Sequence, residues 1–129
     1  MDVSTVEITQ KNFEAITAQD GIVLLDWWAS WCAPCRAFAP VYEKVAAKHP
    51  DVTFGKVDTQ AEPELAAALE IRSIPTLMIL RDRVLLFSQP GALPEEALED
   101  LVRQARGLDM AEVKARIAAE SEKKGGSAA

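Results

Sequence analysis

The sequence predicts an α/β fold in which a mixed β-sheet is covered by helices on both faces. Strand and helix patterns alternate along the chain, and the apolar run Ile22–Trp28 is typical of a strand buried on both faces. Two later apolar runs, Thr76–Leu80 and Val84–Phe87, have the spacing of an antiparallel hairpin. Because crossover connections between parallel strands are right-handed, they place helices on the sheet faces.

The first half of the chain carries clear local signals. Apolar and polar residues alternate over Thr5–Thr9, which predicts a half-buried strand, and Thr9 is a candidate N-cap for a helix containing Phe13 and Ile16. After the buried strand, Pro40 lies inside a long predicted helix and predicts a kink there. The apolar face of this helix follows intervals of three and four residues: Phe38, Val41, Tyr42, Val45 and Ala46.

The second half completes the order β-α-β-α-β-α-β-β-α. Val52–Asp58 reads as a strand, and Pro63 suits the first turn of a short helix. After the hairpin, Pro94 opens a further helix that Gly107 can end. The apolar face of that helix comprises Leu98, Leu101, Val102 and Ala105.

Composition and charge argue against several classes of function. The 129 residues include 14 basic and 20 acidic side chains, a net charge of −6, which argues against a nucleic-acid or electrostatic membrane binder. The N-terminus lacks the basic and apolar regions of a signal peptide, and no apolar run approaches the roughly 20 residues of a membrane span. We therefore expect a cytoplasmic protein with one main domain.

Two cysteines, Cys32 and Cys35, lie between the buried strand and the long helix. A helix N-terminus stabilises negative charge, so the Cys32 thiolate should be stabilised there and its pKa lowered, while Cys35 lies one turn on and within disulfide reach. Half of a zinc ribbon has the same Cys-x-x-Cys spacing, but the chain has no second pair and only one histidine, His49. Redox chemistry is the favoured interpretation.

Six segments share one order and spacing with a known family: Asp26, Trp27–Arg36, Pro40, Lys56–Asp58, Ile71–Thr76 and Gly91–Leu93. Through these segments the chain resembles the thioredoxin family over roughly residues 3–107. This resemblance implies the thioredoxin fold, a five-stranded sheet of order 1-3-2-4-5 whose last two strands are antiparallel. It also implies a domain of residues 1–107 followed by an extension of residues 108–129.

The resemblance implies a role for four residues of the predicted active site. Cys32 matches the family's nucleophile, Cys35 its resolving thiol, Asp26 a proton acceptor for Cys35, and Lys56 a supporting residue near Asp26. Asp26 is also unusual without the resemblance, because it is the one carboxylate in an apolar strand, where burial would raise its pKa towards neutrality.

Substrate docking is implied in the same way. Pro75 matches the family's cis-proline, and the backbone of Ile74 would pair with an extended substrate segment. The apolar docking surface would comprise Trp31, Ala33, Pro34, Ile74, Gly91 and Ala92. Ala33 replaces the family's usual glycine, and because the dipeptide between the cysteines tunes thiolate stability, this departure bears on the reduction potential.

The implied function is reduction of disulfides in cytoplasmic proteins by a monomer that needs no bound cofactor or metal. Reducing equivalents would come from NADPH through thioredoxin reductase. Three alternatives stay open at this point: a chaperone-like binding module on the same scaffold, a disulfide isomerase or oxidase, and a metal or iron–sulfur site shared between two chains.

Residues 108–129 lie beyond the resemblance. They carry four acidic and four basic side chains, so the net charge of −6 belongs to residues 1–107. A narrow apolar stripe of Met110, Val113 and Ile117 predicts a short helix over about 109–121, followed by a flexible Gly125–Ala129 tail. Because the stripe is narrow, we expect this helix to fold back on the domain or to be loosely tethered, rather than to bind a partner.

Overall fold

The computed structural model describes residues 4–128, with side chains described as far as Lys123. Within these residues, five strands form one sheet: β1 (Thr5–Glu7), β2 (Ile22–Trp28), β3 (Thr53–Asp58), β4 (Thr76–Arg81) and β5 (Val84–Pro90). Five helices accompany it: α1 (Phe13–Thr17), α2 (Ala33–Lys48), α3 (Pro63–Ala68), α4 (Glu95–Gly107) and α5 (Met110–Ala128).

The strand order is β1-β3-β2-β4-β5, which confirms the predicted order and the antiparallel final pair. Strands β1, β3 and β2 run parallel, whereas β4 runs antiparallel to both β2 and β5. The ends of the three parallel strands therefore meet the start of β4 and the end of β5. We call this the Cys32 end of the sheet, and the opposite end, with the β4–β5 turn, the hairpin end.

Two apolar layers cover the faces of the sheet, and the alternation of β2 separates them. Ile22 and Leu24 point into the layer that contains α2 and α4, while Val23, Leu25 and Trp27 point into the layer that contains α1 and α3. All of these side chains are buried, as a central strand with two covered faces requires. The predicted helix–sheet–helix arrangement is confirmed.

A buried hydrogen bond ties α2 to the sheet. The Tyr42 hydroxyl, fully buried, donates to the Gly55 carbonyl oxygen over 2.7 Å. On the other side of β3, a Cβ atom at Gly55 would lie only 2.7 Å from Ile8, so this position needs glycine. Sequence patterning identified Tyr42 as a packing residue but gave no sign of its polar role.

One predicted helix start is wrong, and one predicted helix end is right but is capped differently. Thr9 does not cap α1; instead the Thr9 backbone N–H donates to the side-chain oxygen of Asn12, the residue that precedes the helix. The Asn12 side chain is long enough to reach back to the preceding backbone. The Thr9 hydroxyl accepts the N–H of Lys11 instead of a helix N–H. Gly107 is the last residue of α4, but its backbone is not left-handed. Arg81 supplies the cap instead.

The Arg81 guanidinium lies at the C-terminus of α4. Its Nη1 is within 2.7 Å of the carbonyl oxygen of Ala105, 3.1 Å of that of Arg106 and 3.0 Å of that of Leu108. A cation here satisfies carbonyl groups that the helix leaves unpaired and complements the helix dipole. Residues 24 or more positions apart in sequence make this contact, so local patterns could not predict it.

Helix α5 is longer than predicted. It runs to Ala128 rather than to about residue 121, and Glu122 and Lys123 are good helix formers that extend an existing helix at little cost. The predicted flexible tail therefore overlaps the end of this helix, and Ala129 lies outside the described residues. The predicted helix start is sound, since the Asp109 carboxylate accepts the backbone N–H of Glu112.

Among the described side chains, the ion pair that α5 makes with the rest of the chain lies at the hairpin end. Met110 is buried and Val113 half-buried, but Ile117 stays 49% exposed. The Lys114 ammonium lies 3.9 Å from Asp82, in the β4–β5 turn. In residues 4–128, no helix has the length and apolar character needed to cross a membrane.

We predict that Arg81→Met destabilises the protein by about 1–3 kcal/mol, because the charged hydrogen bonds at the end of α4 are lost. Urea unfolding monitored by circular dichroism measures this change. Arg103→Met is the matched control: Arg103 pairs with Asp100 on the exposed face of α4, and its loss should cost less than about 0.5 kcal/mol. Equal effects of the two substitutions would contradict the capping role.

Candidate active site

The two cysteines lie at the Cys32 end, one just before the start of α2 and the other in its first turn. Cys32 is the N-cap residue of α2, and a disulfide joins it to Cys35 in the first turn, with the Cα atoms 5.2 Å apart. The Cys35 backbone N–H donates to the Cys32 sulfur over 3.2 Å. Both cysteines are nearly buried, whereas the preceding Trp31 is 64% exposed.

A second loop packs against the disulfide. The Ile74 carbonyl oxygen lies 3.7 Å from the Cys32 sulfur, and the Ile74–Pro75 peptide bond is cis. A third segment joins there, since the Gly91 N–H donates to the Pro75 carbonyl oxygen over 2.8 Å. Gly91 has a φ of +110°, a conformation that favours glycine. Segments far apart in sequence thus meet around one sulfur atom.

The residues predicted to dock substrate lie around this meeting point and differ in exposure. Ile74 is half-buried and Pro75 is buried beneath the surface. The others are exposed: Trp31, Ala33, Pro34, Gly91 and Ala92. Three of the five adjoin the cysteines in sequence, and the other two follow β5. The result is a mainly apolar surface beside a covered disulfide.

Asp26 lies within β2, on the sheet face that α2 covers. It is only 1% exposed, and neither carboxylate oxygen has a hydrogen-bond partner among the described residues. Burial without compensation favours the neutral carboxylic acid, so desolvation raises the pKa of Asp26 to about 7, against an opposing influence from Lys56. A carboxyl group with this pKa can take up or release a proton near neutral pH.

Lys56 is the register partner of Asp26 on β3. Its side chain is 19% exposed, and its ammonium lies 3.6 Å from the Glu43 carboxylate and 5.1 Å from the centre of the Trp28 ring. The predicted proximity of Lys56 to Asp26 is thus present in the structure. Sequence reasoning missed Glu43, which follows the buried Tyr42 on α2 and has the composition of an ordinary surface residue.

A disulfide that closes one turn at the start of a helix is typical of thiol–disulfide oxidoreductases, because the same position stabilises the thiolate after the bond is reduced. The fold and site therefore define a protein of this class. Among residues 4–128, no three side chains of the metal-binding types cluster closely enough to hold a metal ion.

Comparison with known proteins identifies the family. The thioredoxin family model matches residues 4–104. A relative from Streptomyces coelicolor that carries a thioredoxin name is 58% identical over 89% of this chain and 86% of its own. The thioredoxin of Bacillus subtilis is 37% identical over 79% of this chain and 98% of its own.

Comparison with solved structures also finds thioredoxins. A mutant thioredoxin from Halobacterium salinarum superposes with a TM-score of 0.75 at 28% identity, covering 84% of this chain and 97% of its own. A Malassezia sympodialis thioredoxin gives a TM-score of 0.70 at 29% identity, covering 78% of this chain and 90% of its own. The chain belongs to the thioredoxin family. It is a protein dithiol–disulfide oxidoreductase, a protein-disulfide reductase that works through a Cys-x-x-Cys pair.

We predict that Asp26→Asn stabilises the oxidised protein at pH 8 more than at pH 4. The pKa of Asp26 is raised on folding, so wild-type folding binds a proton and its stability falls as the pH rises from about 4 to about 7. Asparagine stays neutral throughout this range. The difference between the two pH values should be on the order of a few kcal/mol.

Urea titrations of both proteins at pH 4, 6 and 8 measure this pH dependence. Asp58→Asn is the control, since Asp58 is half-exposed and accepts the backbone N–H of Gln60. A stability difference between wild type and Asp26→Asn that stays constant with pH would contradict the raised pKa.

Proposed function

We propose that Cys32 is the nucleophile of the reductase. The observation that carries this proposal is its place at the N-cap of α2, where the Cys35 N–H lies 3.2 Å from its sulfur. In the reduced protein this N–H and the helix dipole stabilise a Cys32 thiolate. The thiolate attacks one sulfur of a substrate disulfide, forming a mixed disulfide and releasing the other substrate sulfur as a thiolate, which takes a proton from solvent.

The second exchange needs Cys35 as a thiolate. Asp26 lies on the sheet face beneath α2, and with a pKa of about 7 its carboxylate accepts the Cys35 proton. The Cys35 thiolate then attacks the Cys32 sulfur, and the remaining substrate sulfur leaves as a thiolate and is protonated. Two electrons pass from the dithiol to the substrate, and the Cys32–Cys35 disulfide of the structure is re-formed. Lys56 supports Asp26 electrostatically.

Substrate docks on the exposed apolar surface around the disulfide. An extended substrate segment pairs with the backbone of Ile74, whose carbonyl oxygen lies 3.7 Å from the Cys32 sulfur. Pro75 fixes the path of this loop, and apolar contacts come from Trp31, Ala33, Pro34, Gly91 and Ala92. Main-chain recognition suits an enzyme that acts on many proteins, because it does not read the substrate's side chains.

The oxidised protein is returned to the dithiol by thioredoxin reductase with electrons from NADPH, and the chain itself carries no cofactor in this cycle. The protein works as a monomer in the cytoplasm. The names of its relatives support the choice of reductase, since thioredoxins are the substrates of that enzyme.

Reduction of insulin disulfides tests the roles of the cysteines. With NADPH and a thioredoxin reductase, the wild type should reduce insulin catalytically. Cys32→Ser should lose at least 1,000-fold of this rate, because a hydroxyl is a far weaker nucleophile than a thiolate. Cys35→Ser should instead accumulate a mixed disulfide with a substrate peptide, detectable by mass spectrometry.

Two outcomes would contradict the scheme. The first is a wild-type rate for Cys32→Ser, which would mean that Cys32 is not the nucleophile. The second is activity with dithiothreitol as the reductant but none with NADPH and any thioredoxin reductase, which would remove the reductase from the cycle while leaving the dithiol chemistry intact.

We also propose that residues 1–107 form the catalytic domain and that residues 108–129 are an appendage to it. Helix α5 contacts the domain at the hairpin end, through Met110 and the Lys114–Asp82 pair. Strand β4, six residues long, separates that end from the disulfide, a distance of roughly 20 Å. Helix α5 therefore stabilises the far end of the domain without entering the reaction.

Truncation after Gly107 tests this division. We predict insulin reduction within twofold of the full chain and a Tm lower by roughly 3–10 °C, because the burial of Met110 is lost. Met110→Ala in the full chain is the control that should reproduce part of the Tm change. A tenfold loss of activity at a temperature where the truncated protein is folded would contradict the division.

A further inference from the structure

Lys56 is held in a defined position by two groups other than Asp26. Its ammonium lies 3.6 Å from the Glu43 carboxylate, on α2, and 5.1 Å from the centre of the Trp28 ring, on β2. Only 19% of the Lys56 side chain is exposed, while the Glu43 side chain is 38% exposed. A half-buried ammonium between a carboxylate and an indole ring has little freedom to move.

Asp26 does not share in this pairing. Its two oxygens lack hydrogen-bond partners among the described residues, and its carboxyl group forms no ion pair with Lys56 within 4 Å. Nevertheless the two residues are register partners on adjacent strands, and Lys56 is the one group that lowers the pKa of Asp26. Lys56 therefore acts on Asp26 from a distance, through a poorly polarisable interior.

We propose that Glu43 is a positioning residue for the second thiol exchange, which holds the Lys56 ammonium away from Asp26 and so limits how strongly that ammonium stabilises the Asp26 carboxylate. This inference rests on the proposed role of Asp26 as proton acceptor. Glu43 touches neither cysteine, so its effect on the reaction passes through Lys56. It keeps Asp26 a stronger base than it would be beside a free ammonium.

Glu43 weakens the effect of Lys56 on the Asp26 carboxylate in two ways. Its negative charge neutralises part of the Lys56 field, and its ion pair restrains the ammonium on the α2 side. Removing the charge removes both effects, so Asp26 would titrate at a lower pH. Removing Lys56 would move the titration of Asp26 the other way, because the opposing cation is lost.

The other charged or titratable side chains near Lys56 and Asp26 are exposed or bonded to other groups. Glu7 is the register partner of Lys56 on β1 and lines the same groove, but its side chain is exposed and forms no ion pair with Lys56 within 4 Å. Asp58, also in this groove, accepts the backbone N–H groups of Gln60 and Ala61. Tyr42, from α2, donates its proton to the Gly55 carbonyl oxygen. On β4, the register partner of Asp26 is the apolar Leu77. Among these groups, Glu43 alone is paired with Lys56.

The test follows the Asp26 carboxyl carbon by NMR during a pH titration of the oxidised protein. Glu43→Gln should lower the midpoint of Asp26 by roughly half a pH unit. Glu95→Gln is the matched control, since it also removes a glutamate paired with α2 lysines, Lys44 and Lys48, but leaves Lys56 untouched. Its Asp26 midpoint should equal that of the wild type.

A double-mutant cycle with Lys56→Met shows whether Glu43 acts through the ammonium. In that background most of the Glu43→Gln shift should disappear. A kinetic readout accompanies it: the pH profile for resolution of a mixed disulfide should move to lower pH in Glu43→Gln by the same amount as the titration.

Three results would overturn the proposal: an unchanged or raised midpoint in Glu43→Gln, a shift equal to that of Glu95→Gln, or an equal Glu43→Gln shift with and without Lys56. Because the NMR titration reads Asp26 directly, it is independent of the catalytic role of Asp26. A shifted midpoint without any change in the kinetic profile would instead reject Asp26 as the proton acceptor.

Discussion

Strand β2 is buried from Ile22 to Trp27 and pairs with a neighbour along each edge, so its position is fixed on four sides. The site depends on that constraint. The strand ends one short loop before Cys32, and its parallel pairing with β3 and antiparallel pairing with β4 bring Lys56 and the Ile74–Pro75 loop to the same end. The pairing of the strands thus places the cysteines close to the Ile74–Pro75 loop.

The same burial lets Asp26 lower the stability of the fold near neutral pH and raises the pKa of its carboxyl group. A carboxyl group without hydrogen-bond partners in an apolar layer is neutral at low pH, and ionising it near neutral pH opposes folding. The proposed role of Asp26 as proton acceptor would explain why such a group persists, because a base whose pKa is about 7 is matched to a thiol proton at physiological pH. In our proposal, Lys56 and Glu43 adjust this balance from the edge of the apolar layer.

The two ends of the sheet have different physical characters. At the Cys32 end, Trp31 and its neighbours leave apolar surface exposed beside a disulfide. At the hairpin end, charged side chains satisfy backbone groups: Arg81 caps α4, and the Asp82 carboxylate accepts the Gly21 N–H over 2.8 Å while also facing Lys114. The polar contacts that brace the hairpin end therefore lie far from the apolar surface beside the disulfide.

Local sequence patterns were enough to predict the order of the elements, the sheet faces and the dithiol at a helix start. Each of these depends on residues close together in the chain: the alternation in β2, the spacing in α2, and the position of Cys32 between them. The family resemblance added the strand order and the cis bond before Pro75. Tertiary structure alone decided the partners of the polar groups, such as Glu43 for Lys56 and Arg81 for the end of α4. Charged side chains on exposed positions look alike in sequence, and only the packing of distant elements selects which of them meet.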